Sequence, residues 1–335
     1  MALLSNPATN GQRDVSFSRS ENPFLFIVGC PRSGTTMLKR MVNAHPLVAI
    51  TRETHWIPRY YKKQRGVTAE GLVTDRIVEN LFAYHRFSQM KISRESLDDF
   101  LGSRSDLRYA DLVSHIFDHY GRRKRKPLVG DKTPTYVRKL PTLHALWPRT
   151  QILHLIRDGR DVWLSMRQWR MSHKAAGKFS TWQIDPLVTT ALWWKALVAM
   201  GRRDAILFGE KQYREVRYDA LVAQPEVECR RIADFLGVSH VEAMERFYEG
   251  RTKTDSELST NAAWLPPTPG RRDWRTQMAD ADIEKFEAAA GDLLDDLGFE
   301  RVFPTIPNRV RRHVEKIKRS LANEISGRWQ LPSSW

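Results

Sequence analysis

The feature that most constrains the fold is the stretch FLFIVGCPRSGTTMLKRMV, residues 24–42. The apolar run over 24–29 ends at a glycine and predicts a strand that is buried on both faces, as strands in parallel sheets are. After the loop, apolar side chains recur three and four residues apart, which predicts a helix that stops before Pro46. A strand, a glycine-containing loop and a helix in this order favour an α/β fold.

The loop itself, residues 29–36, predicts a phosphate site. Gly29 and Gly34 are spaced as in the nucleoside-triphosphate loop G-x-x-x-x-G-K-[ST], but Thr35 stands where that loop has lysine. The backbone N–H groups of such a turn, together with the following helix N-terminus, bind anions whatever the side chains are. Because the lysine is missing and Arg32 is the nearby cation, triphosphate chemistry is disfavoured.

Strand and helix patterns alternate along the rest of the chain. Further strands are predicted at 47–51 and within 126–134, 150–161 and 214–222. A helix is predicted from about Asp161, and residues 62–126 show helical spacing, which predicts a helical insertion beside the sheet. The pattern predicts a single P-loop-like α/β domain with a mostly parallel central sheet flanked by helices.

Three segments follow from the distribution of these patterns. Residues 1–22 are expected to be a disordered leader, 23–303 the domain, and 304–335 a basic amphipathic tail. From residue 301 onward there are eight Lys and Arg residues against two Glu, and apolar residues form one helical stripe. Such a helix either makes a peripheral membrane contact with anionic lipid or packs against its own domain.

Charge and cysteine content exclude some classes of protein. The net charge of +15 favours an anionic ligand, a nucleic acid or an anionic surface without choosing among them. Cys30 and Cys229 cannot form a disulfide framework and lack the spacing of a zinc site. The N-terminus lacks the pattern of a secretory signal and no apolar run approaches a membrane span, which predicts a cytoplasmic protein.

Two motifs resemble those of a known family. PRSGTT, residues 31–36, resembles the 5′-phosphosulfate loop of sulfotransferases that use 3′-phosphoadenosine 5′-phosphosulfate (PAPS). LIRDGRDVWLSM, residues 155–166, resembles their 3′-phosphate motif, in which serine follows arginine by eight residues, as Ser165 follows Arg157. The chain is therefore identified with the PAPS-dependent sulfotransferases, in the branch of bacterial and tyrosylprotein-sulfotransferase-like enzymes.

The resemblance implies which residues bind the nucleotide. These are Pro31, Arg32, Ser33, Gly34, Thr35, Thr36, Arg157, Ser165, Tyr218, Arg271 and Arg272. Arg32 and the loop amides are expected to hold the sulfuryl group and its phosphate without a metal. Tyr218 is expected near the adenine, and Arg271 and Arg272 near the 3′-phosphate, with the choice between the two arginines left open.

The resemblance also implies the catalytic base. HPLVAITRETHWIPR, residues 45–59, resembles a segment of tyrosylprotein sulfotransferases and related bacterial enzymes, whose glutamate is the base and corresponds to Glu53. Cytosolic members instead place a histidine two residues after a lysine. Here the residue two positions after Lys132 is Pro134. Lys132 is then expected to neutralise the bridging oxygen as the sulfuryl group departs.

Three further residues of this segment are expected to contact the acceptor: His55, Trp56 and Arg59. His55 is also an alternative base. The predicted reaction is in-line transfer of a sulfuryl group from PAPS to an acceptor hydroxyl on a small molecule, carbohydrate, lipid or peptide. Two alternatives stay open at this point: a kinase or triphosphatase with an altered phosphate loop, and a non-catalytic basic protein that binds nucleic acid, although nucleic acid is not an expected partner.

Overall fold

A five-stranded parallel sheet lies at the centre of the computed structural model, which describes residues 20–102, 106–249, 265–327 and 329–332. The strands are β1 (Leu25–Gly29), β2 (Val48–Thr51), β3 (Leu128–Lys132), β4 (Gln151–Ile156) and β5 (Tyr213–Arg217). Their order is β2-β3-β1-β4-β5, and every neighbouring pair is parallel. The carboxyl ends of all strands therefore meet at one edge, where open α/β sheets bind ligands.

Thirteen α-helices surround this sheet within the described residues. They are α1 (Thr35–Ala44), α2 (Ile57–Lys62), α3 (Arg76–Phe82), α4 (Arg94–Leu101), α5 (Tyr109–Lys124), α6 (Leu140–Leu146), α7 (Gly159–Arg167), α8 (Pro186–Asp204), α9 (Tyr218–Ala223), α10 (Pro225–Leu236), α11 (Trp274–Gln277), α12 (Asp280–Asp296) and α13 (Asn308–Ile325). The strand predicted within 214–222 ends at Arg217, and the remaining residues begin α9 instead.

The side chains of β1 supply two separate cores, one on each face of the sheet. Phe26 and Val28 join the core formed with α5, α6, α7, α8, α12 and α13. Leu25 and Ile27 join the core formed with α1, α9 and α10. Because successive side chains of a strand point to opposite faces and both faces are covered by helices, the strand sequence is continuously apolar.

The segment between β2 and β3 contains the helical insertion. Its first helix, α2, begins at Ile57, before the predicted limit of residue 62, and α5 ends at Lys124. Residues 71–85 have helical spacing in the sequence, but only the part that forms α3 is helical. The residues before α3 instead make two isolated antiparallel bridges, Val67 with Val73 and Leu72 with Arg108.

Predictions were made for both ends of the chain. Residues 1–19 of the predicted leader lie outside the described residues, whereas Ser20 and Asn22 both donate hydrogen bonds to Asp118. At the other end, the apolar stripe of α13 is buried against the domain, with contacts to α8 and α12. Because its apolar face is covered, α13 adopts the second arrangement named above, in which the tail packs against its own domain.

Among the described helices, none combines the length and the hydropathy that a membrane crossing requires.

Candidate active site

The loop from Cys30 to Gly34 connects β1 to the N-terminus of α1. Gly34 has a φ of 101°, and a Cβ at this position would lie 2.6 Å from the ring of Tyr218, so both the backbone and the space require glycine. The first N–H groups of a helix have no acceptor within the helix. In the described structure α1 has neither a side-chain cap nor an acidic residue in its first turn, which leaves its N-terminus suited to an anion.

Arg32 is held within this loop by two contacts. Its Nε donates to Oγ of Ser165 at 3.0 Å, and its guanidinium carbon lies 5.0 Å from the ring centre of Trp169. The backbone of Arg32 has a φ of 78°, a strained value for a residue other than glycine and one that often marks a functional site. Burial, and then the charges of Arg272 and Arg157, lower the pKa of Arg32 to about 10, so it stays a cation at neutral pH.

Arg157 follows β4 and is fixed on two sides. Its Nη2 and Nε donate to Oδ2 of Asp161 at 3.1 and 3.4 Å. Its guanidinium carbon lies 4.0 Å from the ring centre of Tyr218, and its carbonyl accepts from Nε1 of Trp194 at 3.1 Å. Asp158 caps α7 by accepting from the backbone N–H of Arg160. Arg157 therefore lies, with a set orientation, at the start of a second helix.

A pocket joins these two helix N-termini. It is lined by Arg32, Gly34, Thr35, Thr36, Met37, Arg157, Ser165, Tyr218, Pro266, Thr268, Arg271 and Arg272. Nine of the eleven predicted nucleotide residues thus lie together. Pro31 and Ser33 belong to the loop but do not line the pocket, and Ser33 is buried with its N–H donating to the carbonyl of Cys30.

The sequence analysis missed three lining residues. Met37 has the spacing of a core residue on α1, which hides its position at the pocket. Pro266 and Thr268 precede Arg271 by only a few positions, and this proximity is the one signal that could have found them.

The charge of the pocket is strongly one-sided. Four arginines line it. One of them, Arg157, contacts a carboxylate, that of Asp161. Burial and the charge of Arg157 lower the pKa of Arg272, because like charges in a partly dry site disfavour one another. A ligand with two anionic groups would relieve this repulsion.

Glu53 lies just beyond the end of β2 and contacts two cations, Lys132 and Arg86, and the imidazole of His55. Its Oε1 accepts from Nζ of Lys132 at 2.8 Å, and its Oε2 lies 3.0 Å from Nε2 of His55 and 3.5 Å from Nη1 of Arg86. Burial alone would raise the pKa of this carboxyl. The charge of Lys132 and the hydrogen bonds from His55 and Lys132 outweigh burial and hold the pKa of Glu53 well below its usual range. Glu53 is therefore a carboxylate at neutral pH.

Hydrogen bonds between the ends of β2 and β3 position this carboxylate. Oγ1 of Thr51 donates to Oδ2 of Asp131 at 2.9 Å, and the N–H of Thr54 donates to Oγ1 of Thr133 at 3.0 Å. The hydroxyls of Thr54 and Tyr136 are 2.8 Å apart. Glu53 is thus flanked on both sides in the chain by residues that are tied to the strand carrying Lys132.

The three expected acceptor residues have different environments. Trp56 is fully buried and packs against Tyr60, Phe87 and Tyr109, so the expected contact with an acceptor was wrong. The side chain lies in the core because the start of α2 directs it there. Arg59 is exposed on α2, and His55 contacts Glu53.

Arg86 was missed by the sequence analysis. It lies 33 residues after Glu53 and belongs to no motif, so no local signal pointed to it.

Metal ligands were also sought among the described residues. Nowhere in 20–102, 106–249, 265–327 and 329–332 do three His, Cys, Asp or Glu side chains cluster as they would around a metal ion.

A family model described as the sulfotransferase family matches residues 23–242, about two thirds of the chain. The chain belongs to the sulfotransferase family. The match covers β1 to β5 and includes the loop after β1, Glu53, Lys132 and Arg157. The resemblance stated from the two motifs is thereby confirmed at the level of the family.

The chain is also similar to curated proteins that are named protein-tyrosine sulfotransferases. It is 27% identical over 237 residues to protein-tyrosine sulfotransferase A of Caenorhabditis elegans, a match that covers 71% of this chain and 55% of the relative. It is 27% identical to protein-tyrosine sulfotransferase 2 of Gallus gallus, with coverage of 65% and 52%. The chain thus spans about half the length of these two relatives.

Solved structures of sulfotransferase domains share its fold. The domain from the Synechococcus PCC 7002 olefin synthase aligns with a TM-score of 0.56 and 22% identity, covering 84% of this chain and 96% of that domain. The domain from the curacin biosynthetic pathway aligns with a TM-score of 0.50 and 18% identity, covering 92% and 98%. The predicted α/β fold with a parallel sheet is confirmed.

Proposed function

We propose that this sulfotransferase transfers a sulfuryl group from PAPS to an acceptor hydroxyl. The observation that carries the proposal is the pocket at the N-termini of α1 and α7, which four arginines line. A doubly phosphorylated nucleotide presents two separate anions, and arginine forks together with helix N-termini are suited to bind both.

The pocket has a place for each part of the nucleotide. The 5′-phosphosulfate would lie at the start of α1 against Arg32, and the 3′-phosphate against Arg157 and Ser165. The ring of Tyr218 lies beside Arg157 and Gly34 and would offer an aromatic surface for the adenine. Arg271 and Arg272 line the same pocket and would add positive charge beside the 3′-phosphate.

The proposed chemistry begins when the acceptor hydroxyl donates its proton to Glu53. The acceptor oxygen forms a bond to sulfur while the bond from sulfur to the 5′-phosphate oxygen breaks, and the negative charge passes to that phosphate. Arg32 and Lys132 would stabilise this charge. Since Lys132 pairs with Glu53 at 2.8 Å in the free enzyme, a movement of Lys132 towards the leaving oxygen would leave Glu53 more basic as the proton arrives.

We also propose that the acceptor is a tyrosine-containing peptide. The names of the relatives support this class, since those proteins are called protein-tyrosine sulfotransferases. Arg86 contacts Glu53, and Arg59 is exposed nearby in the chain. These two cations would favour acidic residues next to the tyrosine. The cytoplasmic location stays a prediction.

The kinase alternative would need a carboxylate to bind magnesium. Asp158, which follows β4, is placed in the sequence like the magnesium-binding aspartate of triphosphatases. Asp158 accepts from the backbone N–H and Nε of Arg160 through Oδ1 and from Nη2 through Oδ2. Both oxygens are therefore used to hold a buried arginine.

The direct test incubates the protein with PAPS labelled in its sulfur and a tyrosine peptide with acidic neighbours, and then measures label in the peptide. Label on the tyrosine oxygen is expected, and a peptide with phenylalanine in place of tyrosine is the control. Label on neither this peptide nor a panel of carbohydrate, phenol and lipid hydroxyls would contradict the proposal, as would turnover of ATP in place of PAPS.

A further inference from the structure

We propose that Asp161 is a positioning residue for recognition of the 3′-phosphate, which it serves by orienting Arg157 and by anchoring the segment that carries Arg271 and Arg272. The inference rests on the proposed function, because it assigns a role within the same nucleotide pocket. Asp161 itself does not line the pocket.

The carboxylate of Asp161 uses its two oxygens for two different parts of the chain. Oδ2 accepts from Nη2 and Nε of Arg157, and Oδ1 accepts from the backbone N–H of Trp274 at 3.1 Å. Trp274 follows Arg272 by two residues and begins α11. One side chain of α7 therefore sets the position of a pocket arginine and of the segment that supplies two more.

The same segment has a second attachment to α7. The ring centre of Trp274 lies 3.5 Å from the guanidinium carbon of Arg160, which is fully buried. Arg160 in turn pairs with Asp158 and Glu287, each at 2.8 Å. Because Arg160 cannot move without breaking these buried pairs, Trp274 has a fixed partner, and the bond to Asp161 sets the direction of the chain leading to it.

The contacts of Arg157 explain how an acidic residue can assist in binding a phosphate. Guanidinium has five N–H donors, and the two nitrogens bonded to Asp161 leave Nη1 and the second N–H of Nη2 for a ligand. The face of the same group lies against Tyr218. An arginine held on one edge and on one face loses little conformational freedom when a phosphate binds its other edge. We infer that this gain outweighs the repulsion between the carboxylate of Asp161 and the phosphate.

The test compares two nucleotides that differ only in the 3′-phosphate: 3′-phosphoadenosine 5′-phosphate (PAP) and adenosine 5′-phosphate (AMP). Asp161→Asn keeps an oxygen that can accept from Trp274 but removes the charge that orients Arg157. We expect the Kd of PAP to rise about tenfold, as for loss of one hydrogen-bonded charged contact, while the Kd of AMP stays unchanged. Isothermal titration calorimetry with the full chain measures both.

Two further variants make the test specific. Asp295→Asn removes another carboxylate that pairs with an arginine, Arg301 at 3.0 Å, at an exposed site, and PAP binding should be unaffected. In an Arg157→Ala background, Asp161→Asn should weaken PAP binding much less than it does in the parent chain, because the residue acts mainly through Arg157.

Three outcomes would overturn the inference. Equal losses for PAP and AMP would mean that Asp161 only supports the fold. Unchanged or tighter PAP binding would mean that Asp161 does not orient Arg157 or competes with the phosphate for it. If the parent chain binds PAP no more tightly than AMP, the proposed nucleotide is itself wrong and this inference fails with it.

Discussion

The arginine pocket and the surroundings of Glu53 handle charge in opposite ways. Four arginines line the pocket, and among its described surroundings the carboxylate of Asp161 contacts one of them, Arg157, so positive charge is available to a ligand. At the end of β2 the carboxylate of Glu53 already contacts two cationic side chains and one imidazole. The described arginines of the pocket can thus meet an anion directly, whereas Glu53 must exchange a partner before it can take a proton.

This difference separates the residues proposed to bind the nucleotide from those proposed to carry the chemistry. Changes in the pocket should alter the affinity for nucleotide, because they remove charge that the ligand meets directly. Changes around Glu53 should alter the rate and its dependence on pH, since they change the basicity of one carboxylate.

The largest effect is expected from Glu53→Gln. The amide cannot accept the acceptor proton, so turnover should fall by about 10²- to 10⁴-fold while PAP affinity stays unchanged. Turnover is measured with labelled PAPS and affinity by calorimetry. Glu226→Gln, an exposed glutamate paired with Arg230 at 2.7 Å, is the matched control and should behave as the parent chain. Undiminished turnover in Glu53→Gln would remove this residue from the mechanism.

Arg157→Ala changes the arginine pocket and should weaken nucleotide binding. Loss of one charged contact to the 3′-phosphate is expected to raise the Kd of PAP by about 10- to 100-fold. Arg230→Ala removes an exposed arginine from the surface pair named above and serves as control. Equal PAP affinity in Arg157→Ala would show that the ligand does not meet the pocket at this residue.

Lys132→Met should change the pH dependence of turnover. Protonated Glu53 cannot act as a base, so turnover falls as the pH drops through its pKa. With Lys132 present that pKa is held well below the usual range, and turnover should stay level from pH 7 to pH 5. Without Lys132, burial raises the pKa, and the acid limb should move up by roughly one pH unit or more. An acid limb that does not move would contradict the assignment.

Trp56→Phe should have the smallest effect of these variants, a modest loss of stability with no change in the acceptor KM. The substitution removes part of a fully buried ring system, so the free energy of unfolding should fall by about 1–2 kcal/mol. The acceptor KM should stay unchanged, since Trp56 has no exposed surface. Denaturant unfolding and steady-state kinetics measure the two quantities, and a raised KM without loss of stability would restore the acceptor role.

The same contrast between the two regions decides how far the sequence predicts the molecule. Much of the nucleotide pocket was predictable because short sequence motifs supply it: the loop needs Gly34 for its backbone, and Ser165 follows Arg157 by eight residues. The surroundings of Glu53 come from separate parts of the chain. Arg86 reaches Glu53 from a region without a motif, and the sequence could not tell that Trp56 points into the core.

Helix α8 illustrates a second limit of sequence patterns. It is one of the longest helices in the described residues, yet the sequence analysis did not identify it. Fifteen of its 19 residues are buried, so its own buried side chains lie on every side of the helix. A helix without a polar face has no amphipathic period, and the 3.6-residue pattern that reveals α1 and α13 is absent from it.

The most direct measurement is a crystal structure of the protein soaked with PAP. The account predicts the 5′-phosphate at the N-terminus of α1 beside Arg32, and the 3′-phosphate against Arg157 and Ser165 at the start of α7. PAP bound outside this pocket, or with only one of its phosphates at these arginines, would contradict the claim that two helix N-termini together bind a doubly phosphorylated nucleotide.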